Sequence, residues 1–157
     1  MSRINDGKDV LKFFALPAYY MREWLGEVLE GNNNPPQEGT FSRVKQFFHD
    51  ASSYDPTKRV TNLNLEREFP VKRRILTDMI SRVDPNCDVE SKLRELESAV
   101  SVLTLDGIAV SSNPDSYRFL VRVLDEVVKE GDQHESFYGS HSPYVVGTFN
   151  RSRDDDD

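Results

Sequence analysis

The chain has 157 residues, a mass of 18.0 kDa, 20 Lys+Arg against 27 Asp+Glu, a net charge of −7 and one cysteine. That length suits one compact domain, or a small domain with an appended arm, and a lone Cys87 excludes an internal disulfide or a Cys-based zinc cage. No stretch approaches the ~18 apolar residues of a membrane span, and Met1–Gly7 lacks the apolar run of a secretion signal, so the expectation is a soluble, cytoplasmic protein with no membrane partner.

From Val10 to Glu30 the pattern is helical, with Pro17 expected to split it into a short and a longer piece. Tyr20, Met21, Trp24, Leu25, Val28 and Leu29 form a wide apolar face, and Gly31 stops the helix. Asn32-Asn33-Asn34-Pro35-Pro36 reads as a linker, because asparagine favours turns and two prolines forbid helix. A second helix follows with Thr40 as its cap and Phe41, Val44, Phe47 and Phe48 on one face; Asp50–Thr57 reads as a loop, and 60–65 as a short strand at most.

Pro70 fits the first turn of a third helix, whose buried stripe is Val71, Ile75, Met79, Ile80 and Val83, with Lys72, Arg73 and Arg74 projecting from its other faces. Asp88 caps a fourth helix with Val89, Leu93, Leu96, Val100 and Leu103 inward. Asp106-Gly107 breaks it, and Ile108-Ala109-Val110 reads as a short strand before the turn Ser111–Pro114. A fifth helix starts at Pro114, buries Tyr117, Leu120, Val121, Leu124, Val127 and Val128, and stops at Gly131. The expected fold is therefore mainly α, with five helices in a compact chain: a helical arm over 1–31 that carries the first, a helical domain over 37–130 that carries the other four, and an aromatic, acidic extension over 131–157.

Charge is unevenly placed along these elements. Residues 58–82 carry 7 basic and 3 acidic groups, whereas 125–157 carry 3 and 9 and end in four aspartates. Lys58, Arg59, Arg67, Lys72, Arg73, Arg74 and Arg82 are thus candidates to meet phosphates or an acidic protein surface, the plainer alternative being a solvated helix face.

The run Lys72–Leu120 resembles part of a winged-helix domain: a basic amphipathic helix, a helix ending Leu96-x-x-x-Val100-x-x-Leu103-x-x-Asp106-Gly107-Ile108, a polar turn, then Tyr117-x-Phe119. The resemblance covers about a third of the chain and implies a short β-hairpin, the wing, near 108–120. Winged helices bind DNA or other proteins, so the fold alone would not fix the activity. The size, the acidity and the segments Phe41–Phe48 and Glu135-Ser136-Phe137 also resemble the coat subunits of rod-shaped plant viruses, which are bundles of four main helices.

The sequence offers little catalytic chemistry. His134 and His141 flank Ser136, Ser140 and Ser142 near Asp132 and Glu135, but an extension of this composition does not hold an oxyanion site rigidly. The two histidines lack a third ligand at a metal-binding spacing, and His49 reads as a cation at a helix end. No metal, cofactor or catalytic residue is expected. The aromatics Phe13, Phe14, Tyr19, Tyr20 and Trp24 are denser than one helix buries alone, which makes Phe13, Phe14, Tyr20 and Trp24 candidates for a partner interface as well as for the core. The functional expectation is a non-enzymatic module that binds a protein partner or its own copies, with a nucleic-acid contact on the basic segment; the alternative is a self-assembling coat or filament subunit.

Overall fold

A computed structural model describes residues 6–54, 57 and 68–135. Among them the chain forms six helices and no strand: α1 Asp6–Leu29, α2 Glu38–Ser53, α3 Phe69–Val83, α4 Val89–Ser101, α5 Ile108–Ser112 and α6 Pro114–Glu135. The mainly α expectation holds, with one more short helix than the sequence pattern suggested. The segment 60–65 lies outside the described residues.

Helix α1 packs most extensively on α6, and α2 lies against α1, α3 and α4. The Arg22–Asp125 ion pair at one level and the Ala15–Gly131 contact at another show that α1 and α6 run antiparallel. Their buried residues join one continuous core that includes Phe14, Met21 and Trp24 of α1, Phe48 of α2, Leu76 and Ile80 of α3, Leu96 of α4, and Tyr117, Leu120 and Leu124 of α6. Its aromatic centre has defined geometry. The Phe14 ring stacks on Phe47 at 3.7 Å, and Trp24 meets Phe41 edge-on at 5.5 Å.

Four expectations are corrected by this packing. Helix α1 runs unbroken through Pro17, although proline removes one backbone donor at a cost of about 3 kcal/mol. Burial of Phe14, Met21, Trp24 and Leu25, at about 1.5–3 kcal/mol each, outweighs that cost. Helix α2 begins at Glu38 rather than after Thr40, and it continues through Asp50 to Ser53 because Ala51 extends the buried face of Val44, Phe47 and Phe48. The β-hairpin near 108–120 is not formed: Gly107 at φ 75° and the Asp106 carboxylate, which accepts the Ile108 N–H at 3.0 Å, start α5 there, and Pro114 opens α6. These local contacts override the β preference of Ile108 and Val110.

The fourth correction concerns Gly131, which does not stop α6. A Cβ at this buried glycine would sit 2.4 Å from the Ala15 Cβ, so its role is to let the α1 and α6 backbones approach. Other local signals stand as read. Gly31, at φ 95°, ends α1, and the Asp88 side chain caps α4 by accepting the Ser91 N–H at 3.3 Å.

The 32–34 connection is tied to the domain through its asparagines. Asn33 accepts the Trp24 indole N–H at 2.5 Å and donates to the Leu105 carbonyl at 3.0 Å, while Asn34 donates to Glu27. No helix among the described residues is long and apolar enough to cross a membrane.

Candidate interaction surface

Two sets of candidate residues, the aromatics of α1 and the cations at the start of α3, sit differently in the fold. On α1 the aromatics divide by helical phase. Phe14 and Trp24 face the core and are almost fully buried, whereas Phe13 is 76% exposed and Tyr20 45%. Leu16, 36% exposed, lies between them, so positions 13, 16 and 20 make one outward apolar stripe at the spacing of a single helix face. The sequence reading missed Leu16, although that spacing was its signal. The other exposed large apolar residues among those described, Val102 and Ile108, sit at the end of α4 and the start of α5.

Beside the stripe, a cleft of about 340 Å³ opens between α1, α2 and the start of α3. Phe13, Phe14, Pro17 and Phe47 give it an apolar wall, and Arg43, Lys72, Asp9 and Glu68 set mixed charge along it.

On α3 the cations turn back onto the chain. Lys72 donates to Asp50 Oδ2 at 2.7 Å and lies 5.5 Å from the Phe47 ring centroid. Asp50, the buried charged residue of the described core, also accepts from Gln46 at 2.7 Å, so its carboxylate is held from two sides. Arg73 pairs with Glu90 and reaches the Ala51 carbonyl at 3.4 Å. Lys72 is thus drawn against the buried Asp50, while Arg73 makes its pair with the exposed Glu90. Arg74 is exposed and has no ion pair to a described residue, while Arg82 pairs with Glu130 at 2.8 Å. Lys58, Arg59 and Arg67 lie outside the described residues.

Electrostatics elsewhere follow the same inward pairing. Burial works against the Arg22 charge, yet Asp125 at 2.6 Å and Glu23 together raise its pKa above the ordinary value. The Tyr117 hydroxyl donates to the Ala99 carbonyl at 2.6 Å, and burial raises its pKa. At the exposed Asp106, hydrogen bonds from Thr104 and then the Ile108 N–H lower the carboxyl pKa.

The described residues hold no group of three or more His, Cys, Asp or Glu arranged to take a metal ion. His49 faces Glu97 at 3.9 Å. His141 lies outside the described residues, as do Ser136, Ser140 and Ser142. Comparison with family models, curated proteins and solved structures finds no match to this chain.

Proposed function

We propose that this protein is a non-enzymatic interaction module that binds a protein partner through the outward face of α1. The observation that carries this reading is the stripe of Phe13, Leu16 and Tyr20, kept in water on a helix whose other face is fully packed. Leaving a phenylalanine three-quarters exposed forgoes about 1.5–3 kcal/mol of burial, and a rigid helix presenting aromatics is the arrangement that interface hot spots favour. Because the stripe sits on the outside, its removal is separable from folding. The test is to use the full chain and its Phe13→Ser, Tyr20→Ser double variant as paired baits. Partners retained by the native chain should be lost from the variant while the melting temperature stays within about 2 °C; equal retention by both overturns the reading.

The basic segment offers a second, weaker contact, for phosphates, and it is supported by the exposed Arg74. Lys72 and Arg73 contribute less to it, since their charge is already matched by Asp50 and Glu90. If duplex DNA or RNA is the ligand, Arg74→Glu should weaken binding and lower its salt slope. Unchanged affinity and slope would remove nucleic acid from the reading. A coat or filament subunit is the rival class; light scattering from the pure protein should show a monomer or small oligomer, and a large assembly would favour the rival.

A further inference from the structure

We propose that the stripe Phe13, Leu16 and Tyr20 is a docking face for residues 137–149 of the same chain, so that the C-terminal extension competes with the outside partner for one site. The inference rests on the interaction reading above and adds an occupant to it.

Helix α6 delivers the chain close to the stripe. Arg22 meets Asp125 and Ala15 meets Gly131, which fixes an antiparallel register in which Glu135 falls level with Leu11 and Lys12, less than one turn from Phe13. Crossing the ~10 Å diameter of α1 takes about three extended residues, and the stripe from 13 to 20 is itself only about 10 Å long. Fully extended, a stretch as long as 136–149 would span about 46 Å, several times what is needed.

The chemistry of that stretch matches the face. Phe137, Tyr138, Tyr144, Val145, Val146 and Phe149 supply aromatic and aliphatic groups on a segment that itself carries no acidic residue, and the run Asp154–Asp157 comes only later in the sequence. Among possible occupants, tethering decides for this one. A segment covalently joined a few residues from its site competes at an effective concentration in the millimolar range. A second copy at micromolar concentration, carrying the same charge of −7, starts a thousandfold behind.

The experiment replaces Phe13 with the photo-crosslinking residue p-benzoylphenylalanine in the full-length chain and maps the linked peptides. The expected result is an intramolecular link from position 13 into 137–149, in the same yield from 1 to 100 μM protein. A companion variant, Tyr144→Ser with Phe149→Ser, should lower that yield at least fivefold with the fold intact by circular dichroism. Links only to a second molecule, links to another part of the chain, or a yield unaffected by the companion variant each overturn the proposal. Because this measurement uses the pure chain, it can fail while partner capture by the stripe succeeds, and the reverse holds as well.

Discussion

Helix α1 and helix α3 both carry residues that a sequence reading marks for contact with a partner, and the fold treats them in opposite ways. Lys72 is drawn in against Asp50 and Arg73 is matched by Glu90, whereas Phe13, and to a lesser degree Tyr20 and Leu16, stay exposed. The difference follows from reach and from alternatives. A long basic side chain lays its stem along the surface and finds a carboxylate within its own chain, as Lys72 does across Phe47. An outward aromatic finds no such cover among the described residues once the opposite face of its helix has taken the core. The exposed apolar side chains at helical spacing are therefore left open to contact here, where Lys72 and Arg73 are already matched.

The comparison is sharpened first by two substitutions on one helix. Trp24→Ala should cost about 3–5 kcal/mol, and Phe13→Ala should stay within about 0.5 kcal/mol, both read as urea midpoints. A large loss at Phe13 would mean that the stripe is core after all. On α3, Lys72→Met leaves Asp50 buried with only Gln46 and should destabilise by about 3 kcal/mol, while Arg74→Met should be near neutral in the same assay. Equal effects would dissolve the distinction between inward and outward cations.

A smaller loss, about 2 kcal/mol, is expected for Gly131→Ala from the overlap with Ala15, seen as a drop in melting temperature of several degrees. The smallest effect is a pH dependence. Burial raises the Tyr117 pKa above its ordinary value near 10, so folding favours the protonated phenol. The associated stability is complete below about pH 10 and is lost as pH rises through the folded-state value. Midpoints measured from pH 8 to 11 should therefore fall more steeply for the native chain than for Tyr117→Phe.

Much of the helical framework was legible because it depends on neighbours in sequence. The stripe of α6 from Tyr117 to Val127, the Asp88 cap and the Gly31 stop are all set within one or two turns of chain. What was not legible depends on distant residues. Gly131 looked like a helix stop because its reason for being glycine, Ala15, lies on another helix. Asp50 looked like loop composition because its partner Lys72 comes from α3. Pro17 looked like a break because its cost is met by a core assembled from all the larger helices. The candidate interface was half legible for a related reason. Aromatic density marked α1, but only helical phase against the core separates Phe13 and Tyr20 from Phe14 and Trp24.

Trp24 is the single tryptophan of the chain, and its indole hydrogen bond to Asn33, continued to the Leu105 carbonyl, places it where three separate stretches of backbone meet. Tryptophan emission, excited on the red side of the tyrosine band, therefore arises from one chromophore at one corner of the molecule. Loosening of the 32–34 connection would shift the emission maximum before the helices melt, whereas circular dichroism registers only the latter. The protein thus carries its own optical gauge for telling local opening of that corner from global unfolding.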